Sequence, residues 1–181
     1  MRPARDGAGR GLPRSALGRA YSGSLAVVDK VSYVLIVVIT AVMTATVSGQ
    51  VFYRYVLNDS IDWADEVSRL TFVWMIFLAV PHGIKTGAHV GIDILVNVLS
   101  DRVRRSLFRL TSAIAVGLFV IIIVQAVQVA VAVWDQPMPT LALSSGMFYV
   151  ALVVGSAHSI LVLAAFVSGL EAEPRHMDDE T

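Results

Sequence analysis

The residues best suited to chemistry in this chain lie in the stretch 62–69, which reads DWADEVSR. Its acidic residues favour the positive end of a helix dipole, and a tryptophan beside them is typical of a membrane interface. The stretch continues into an apolar run that carries Arg69, and an arginine in an apolar helix is costly unless it is paired. Asp65 and Glu66 lie four and three residues before Arg69 on one helical face, so each can reach its guanidinium.

Two interpretations of Arg69 stay open at this point. The arginine can extend to the lipid headgroups beside its acidic neighbours and need no protein partner. Alternatively, Glu66 and Arg69 contact another membrane subunit or a protein that docks on the outer face. His89 and Asp93 also allow two interpretations: their side chains are solvated at the start of a helix, or they contact a partner protein. The candidate interface or structural residues are Arg54, Trp63, Asp65, Glu66, Arg69, Trp74, His89 and Asp93.

The elements that must position these residues are membrane-spanning helices. Of the 181 residues, 56% are hydrophobic and only 15% are charged, and the apolar residues form long uncharged runs. A formal net charge of zero gives no basic footprint for nucleic acid, and the lack of cysteine excludes disulfides and thiolate chemistry. The sequence therefore predicts an all-α integral membrane protein.

Four transmembrane helices are expected, with an amphipathic helix between the second and the third. Residues 1–30 read as a disordered basic tail and residues 171–181 as an acidic tail. Ser60 or Asp62 is expected to cap the second helix. Residues 88–105 have one polar and one apolar face, which suits a helix lying in the membrane interface or against a partner protein. The expected spans are 31–53, 62–84, 110–134 and 140–170.

Small residues at four-residue spacing predict close helix packing in two of these spans. The ridges are Ala41, Ala45 and Gly49 in the first span and Ala151, Gly155 and Ser159 in the fourth.

The distribution of Lys and Arg predicts that both termini lie in the cytoplasm. Six of these residues fall within 1–30 and five within 85–109, whereas the connections on the opposite side carry very few. Cytoplasmic loops carry the excess of positive charge in multi-pass membrane proteins.

The sequence contains no nucleophile–base pair, phosphate-binding glycine loop or metal-ligand spacing, so neither enzymatic activity nor a cofactor is expected. A haem-binding redox anchor needs two histidines at matching depth, and His82 and His158 are predicted to lie at different depths. A stand-alone exporter usually carries a carboxylate within a span, whereas the carboxylates here are predicted to lie at span ends or outside. These two classes remain the alternatives.

Three stretches, in this order and spacing, resemble the small permease subunit (Q-type, DctQ-like) of tripartite ATP-independent periplasmic (TRAP) transporters. The resemblance covers most of residues 30–170, although Pro81 and His82 stand where the family favours small or aliphatic residues. The three stretches are 52–56 (FYRYV), 63–69 (WADEVSR) and 87–93 (GAHVGID).

The resemblance implies a non-catalytic subunit of a sodium-coupled transporter in the bacterial inner membrane. Its implied partners, besides membrane lipids, are a large permease subunit that carries substrate and sodium and a periplasmic substrate-binding protein. The implied substrate is a carboxylate such as a C4-dicarboxylate, sialic acid or a keto acid. The small subunit would brace the scaffold of the large one, with the helix from Asp62 and the segment from Ala88 as bracing or docking surfaces.

Overall fold

The computed structural model describes residues 16–86 and 101–167 of the chain. Within these ranges the chain forms four helices, each with a segment long and apolar enough to cross a membrane. The expectation of an all-α protein with four spanning helices is therefore confirmed. The helices are α1 (Ala16–Val56), α2 (Ala64–Lys85), α3 (Asp101–Ala132) and α4 (Met147–Val167).

The four helices pack in the order α1, α2, α4, α3. Helix α2 contacts both α1 and α4, α3 packs on α4, and α1 touches α4 at only a few positions. Helix α4 is consequently the most buried of the four, whereas α1, α2 and α3 leave most of their spanning surface exposed. The two flanking helices, α1 and α3, thus present long apolar faces that the described part of the chain does not cover.

Helix α1 begins at Ala16, well before the expected start of the first span at residue 31. The predicted disordered tail at 1–30 is therefore wrong for residues 16–30, while residues 1–15 lie outside the described residues. Leu25 explains the extension, because its side chain is buried against Val162 and Ala165 of α4. Tertiary packing of this kind supplies most of a helix's stability.

Helix α2 follows the prediction of 62–84 closely, but its start differs in detail. Trp63 occupies the N-cap position without a side-chain capping hydrogen bond, and the Ser60 hydroxyl bonds Asp62 instead, at 3.4 Å. The expectation that Ser60 or Asp62 caps this helix is therefore wrong. The helix continues through the buried Pro81 to Lys85. Proline removes one backbone hydrogen bond from the helix. In a spanning segment, the helices packed around it help to compensate for that loss.

Helix α3 begins earlier along the chain than hydropathy predicts, and helix α4 begins later. Helix α3 starts at Asp101 rather than at residue 110, so residues 101–105 of the expected interfacial helix are continuous with it. Residues 88–100 of that expected helix lie outside the described residues, as do residues 168–170 and the acidic tail.

The start of the expected fourth span, residues 140–146, belongs instead to a turn between α3 and α4. Here the backbone N–H of Met138 donates to the carbonyl of Leu143 at 2.8 Å, and that of Ser145 donates to Gln136 at 2.9 Å. Pro137 and Ser144 form an isolated antiparallel bridge across the turn. We call residues 135–146 the α3–α4 turn.

The small-residue ridge predicted for the fourth span packs closely against α2. Ala151, Gly155 and Ser159 are buried, and a Cβ built on Gly155 would lie 2.3 Å from the carbonyl oxygen of Phe77 in α2. The prediction of close packing at this ridge is therefore confirmed.

The ridge predicted for the first span behaves differently. Ala41 and Ala45 are exposed, and a Cβ built on Gly49 would meet nothing within 4 Å. This ridge does not pack against another described helix, so the close contact expected for it is not made within the described chain.

Candidate functional site

The described bundle has two ends, and each carries charged side chains that join different helices. The Lys85 end holds the beginning of α1, the end of α2, the beginning of α3 and the end of α4. The Glu66 end holds the opposite termini and the α3–α4 turn. At these two ends, polar bonds join particular helices in addition to their apolar packing.

A cluster of five polar side chains from three helices lies at the Lys85 end. The Asp29 carboxylate of α1 accepts a hydrogen bond from Lys85 Nζ of α2 through one oxygen, and its other oxygen lies 2.9 Å from His158 Nε2 of α4. His158 is only 4% exposed, and Asp29 and Lys85 are about a fifth exposed. We call Asp29, Ser32, His82, Lys85 and His158 the Asp29 cluster.

Ser32 and His82 complete the cluster between α1 and α2. The buried Ser32 hydroxyl donates to the Asp29 backbone carbonyl at 3.0 Å and lies 2.8 Å from His82 Nε2. The Ser32 hydroxyl and the His82 imidazole thus link α1 to α2, and which of the two donates depends on the tautomer of the imidazole.

The two histidines of this cluster are neighbours. The rings of His82 and His158 meet edge to face with their centroids 5.9 Å apart. The expectation that they lie at different depths is therefore wrong. The histidine Nε2 atoms are directed at Ser32 and Asp29, and the described residues contain no group of three His, Cys, Asp or Glu side chains able to hold a metal ion.

Asp29 lies near one end of the segment of α1 that is long and apolar enough to span a membrane, at the level of Lys85, the last residue of α2. This position agrees with the expectation that carboxylates lie at span ends or outside. Ionisable groups in such segments are rare and pair with one another, as Asp29 does with Lys85 and His158. Chemically, the cluster can hold three helices together and can exchange protons through its imidazoles.

Sequence reasoning missed this cluster because Asp29 was assigned to the tail. Two signals pointed to it. Asp29 and Lys85 fall at ends of neighbouring helices that must meet on the same side of the bundle, and His158 is the only Asp, Glu, Lys, Arg or His residue between 140 and 170.

At the Glu66 end, the carboxylate of Glu66 binds the backbone of the α3–α4 turn. Its two oxygens lie 3.1 Å from the N–H nitrogen of Thr140, and one of them lies 3.0 Å from that of Leu141. Backbone N–H groups in a turn need an acceptor, and here a side chain from α2 supplies it. Glu66 therefore fixes the α3–α4 turn against the beginning of α2.

Asp65 and Arg69 also differ from the expected arrangement. Asp65 accepts a hydrogen bond from Gln50 Nε2 of α1 at 2.8 Å. Among the described residues neither Asp65 nor Glu66 pairs with Arg69, whose side chain is exposed. The two carboxylates therefore join α2 to other parts of the bundle instead of steadying the arginine.

The remaining candidates fall into two groups. Arg54 is exposed and its guanidinium lies 6.0 Å from the ring centroid of Tyr55, Trp63 is exposed, and Trp74 is half-buried within α2. His89 and Asp93 lie outside the described residues.

Glu66→Ala is expected to release the α3–α4 turn while leaving the helices in place. The substitution removes the acceptor of two backbone N–H groups, and hydrogen bonds to a charged acceptor are each worth about 1.5–3 kcal/mol, less where water competes. Amide hydrogen exchange should therefore become at least about tenfold faster at Thr140 and Leu141.

Asp65→Ala is the matched control for this measurement. It removes a carboxylate from the same turn of α2, but that carboxylate binds Gln50 and not the α3–α4 turn. Equal protection of Thr140 and Leu141 in both variants would contradict the role of Glu66.

Comparison with known proteins agrees with this helical architecture. The family model for the DctQ component of tripartite ATP-independent periplasmic transporters matches residues 43–172, more than half of the chain. A putative TRAP transporter small permease protein of Haemophilus influenzae is 24% identical over 135 residues, which cover 75% of this chain and 82% of that protein.

Two further relatives, both from Vibrio cholerae, match shorter segments. The C4-dicarboxylate TRAP transporter small permease protein DctQ is 34% identical over 77 residues, 42% of this chain and 33% of that protein. The sialic acid TRAP transporter small permease protein SiaQ is 29% identical over 98 residues, 54% of this chain and 57% of that protein. The match thus spans about a third of the first relative and a little over half of the second. The chain belongs to the DctQ family of TRAP transporter small permease subunits, which are multi-pass membrane components of a transporter and not enzymes.

Proposed function

We propose that this chain braces the large permease subunit of a sodium-coupled, binding-protein-dependent transporter for carboxylate substrates. The observation that carries the proposal is the pair of apolar faces left uncovered on the flanking helices α1 and α3. Exposed apolar area of this extent on spanning helices is available to lipid or to a second membrane subunit. The names of the relatives, which refer to C4-dicarboxylate and sialic acid transporters, support the carboxylate class.

The arrangement of the charged side chains favours a supporting role over a substrate path. The Asp29 carboxylate is bonded to Lys85 and His158, and the Glu66 carboxylate is bonded to the α3–α4 turn. These groups hold the bundle together, and a carboxylate substrate would have to break those bonds to reach Lys85. The large subunit is therefore the proposed carrier of both substrate and sodium.

The proposed orientation places both termini in the cytoplasm of a bacterium. The excess of Lys and Arg in 1–30 and 85–109 supports this orientation. The Glu66 end then faces the periplasm, where the α3–α4 turn and the exposed Arg54, Trp63 and Arg69 are available to the binding protein or to the large subunit. His89 and Asp93 are proposed as contact residues on the opposite side.

Reconstitution in proteoliposomes tests this function. With an inward sodium gradient, the chain alone should take up neither a radiolabelled C4-dicarboxylate nor sialic acid. The chain together with its large permease subunit and loaded binding protein should take up one carboxylate of the tested panel.

Omission of this chain is the control. The large subunit and the binding protein without it should give uptake near the background of empty liposomes, because the scaffold lacks its brace. Sodium-driven uptake by this chain alone, or full uptake in its absence, would overturn the proposal.

A further inference from the structure

A groove on the outer surface of the bundle lies between α3 and α4 at the Glu66 end. Its volume is about 510 Å³, within the range of about 300–1,000 Å³ that is usual for small-molecule sites. All of its lining residues are aliphatic or aromatic except Asp135, and we call it the α3–α4 groove. The lining residues are Val127, Ala130, Val131, Trp134, Asp135, Val150 and Val153.

Contacts within the chain hold the wall of the groove at the Glu66 end in place. The indole of Trp134 lies against Gly146, where an added Cβ would be only 2.7 Å from Trp134 Cε3. The turn that carries Gly146 is bonded in its turn to α2 through the carboxylate of Glu66. Ala130, which also lines the groove, is only 8% exposed. The groove is therefore formed by the chain itself and needs no ligand to shape it.

Asp135 adds one exposed carboxylate to this apolar lining, directly after the end of α3. It is the only Asp, Glu, Lys or Arg residue between 110 and 170. The ion pairs found among the described residues are both made by Asp29, so neither neutralises Asp135. The carboxylate is thus available to a cation that a ligand supplies, and an ammonium group can both pair with it and donate hydrogen bonds to it.

The order of groups along the groove matches the order of groups in a phospholipid. Val127 lies eight residues before Asp135, about 12 Å at the helical rise, and one leaflet of the hydrocarbon core is about 15 Å deep. Between them, the exposed Trp134 has the amphipathic ring that is typical of the headgroup level. A charge, an aromatic ring and an apolar channel therefore follow one another from the end of α3 toward the middle of the bundle.

A lipid fits this arrangement better than a helix of a second subunit does. Such a helix would need a cation of its own at the one position that faces Asp135. An aminophospholipid carries its ammonium group in every molecule, at the correct end of its acyl chains.

We propose that the α3–α4 groove binds a phospholipid with a primary ammonium headgroup, phosphatidylethanolamine. The ammonium group lies on the Asp135 carboxylate, and one acyl chain lies along Val127, Val131 and Val153. Binding is non-covalent, and the lipid adds contacts that join α3 to α4. The inference does not rest on the proposed transport role, because this chain alone forms the site.

Native mass spectrometry of the full chain in detergent, titrated with defined lipids, tests the proposal. Phosphatidylethanolamine and phosphatidylcholine with identical acyl chains have the same net charge, but only the ethanolamine nitrogen carries hydrogens. The first molecule of phosphatidylethanolamine should bind with a Kd about fivefold lower than that of phosphatidylcholine, the size expected for an exposed ion pair.

Asp135→Asn removes the charge and keeps the size of the side chain. The Kd values of the two lipids should then agree within about twofold, because the ion pair is lost. Asp59→Asn is the matched control, since Asp59 is exposed near the Glu66 end but does not line the groove. That variant should keep the full preference for phosphatidylethanolamine.

Val153→Phe tests the position of the acyl chain. The larger ring would fill part of the groove and weaken the binding of both lipids about tenfold, the equivalent of about two buried methylene groups. Val154→Phe is the control at the next position, because Val154 is exposed and does not line the groove. It should leave both Kd values unchanged.

Several results would overturn the assignment. Equal Kd values for the two lipids in the unsubstituted chain, or a preference that persists in Asp135→Asn, would exclude the ammonium site. Unchanged binding in Val153→Phe would place the lipid elsewhere. If Asp135→Asn broke a complex with the large permease subunit but left lipid binding unchanged, the groove would belong to that subunit. If Val153→Phe does not fold, the comparison of Asp135→Asn with Asp59→Asn decides.

Discussion

Gly155→Ala is expected to separate α2 from α4 and to give one of the largest losses of stability available in this chain. The added Cβ would lie 2.3 Å from the carbonyl oxygen and 2.7 Å from the carbonyl carbon of Phe77. Both are backbone atoms, so the clash cannot be relieved by rotating a side chain, and the two helices must move apart. Overpacking usually costs about 1–3 kcal/mol, and rigid neighbours place this site at the upper end.

The effect should spread along the whole contact between the two central helices. Ala151 and Ser159 lie one turn before and after Gly155 on the same face, and both are buried. Moving the helices apart exposes these residues as well. In detergent, the midpoint of thermal unfolding followed by size-exclusion chromatography should fall by about 6–12 °C.

Gly49→Ala is the matched control in the same bundle. A Cβ at Gly49 meets nothing within 4 Å, and alanine is the better helix former by about 1 kcal/mol. This variant should unfold at or above the temperature of the unsubstituted protein. A Gly155→Ala midpoint equal to that of Gly49→Ala would show that the close approach of α2 and α4 is not needed.

The two glycines also show what spacing in a sequence can and cannot predict. Small residues at four-residue intervals identify a face of a helix, because such residues align along one side. They do not identify what covers that face. The ridge around Gly155 packs on Phe77, whereas the ridge around Gly49 is open within the described chain, and only the packing order of the helices distinguishes the two cases.

Glu66 illustrates a second limit. The partner nearest to it in sequence is Arg69, one turn later, and the local rule for helices favours that pair. The structure instead directs the carboxylate to the N–H groups of Thr140 and Leu141. Those groups have no acceptor within their own turn, so they compete for Glu66 more effectively than an exposed arginine that water can solvate. Hydropathy predicted the helices, but the demand for acceptors in a turn becomes visible only in three dimensions.

The Asp29 cluster shows the same limit over longer separations. Residues 29, 82, 85 and 158 are distributed over three helices, and no motif connects them in the sequence. Composition assigned Asp29 to a basic tail because Lys30 and several arginines surround or precede it. Burial of Leu25 extends α1 toward its N-terminus and carries Asp29 into the bundle. The position of one charge thus depends on an apolar contact four residues away.

Asp29→Ala is accordingly expected to destabilise the bundle more than any other removal of a single charge described here. The substitution leaves the Lys85 ammonium and the His158 imidazole without the carboxylate that both bind. Removing one member of a fully buried pair costs about 3–5 kcal/mol. Because Asp29 and Lys85 are about a fifth exposed, the expected loss is smaller, about 2–3 kcal/mol.

The thermal midpoint of Asp29→Ala should therefore fall by about 5–10 °C, measured as for Gly155→Ala. Asp59→Ala is the control, because Asp59 is exposed and its carboxylate bonds only the neighbouring Ser60 N–H among the described residues. That variant should unfold within about 1–2 °C of the unsubstituted protein, since surface substitutions rarely exceed ~0.5 kcal/mol. Equal midpoints for Asp29→Ala and Asp59→Ala would mean that apolar packing alone holds α1 to α2 and α4. A selective loss in Asp29→Ala would show that this carboxylate is what joins the three helices at the Lys85 end.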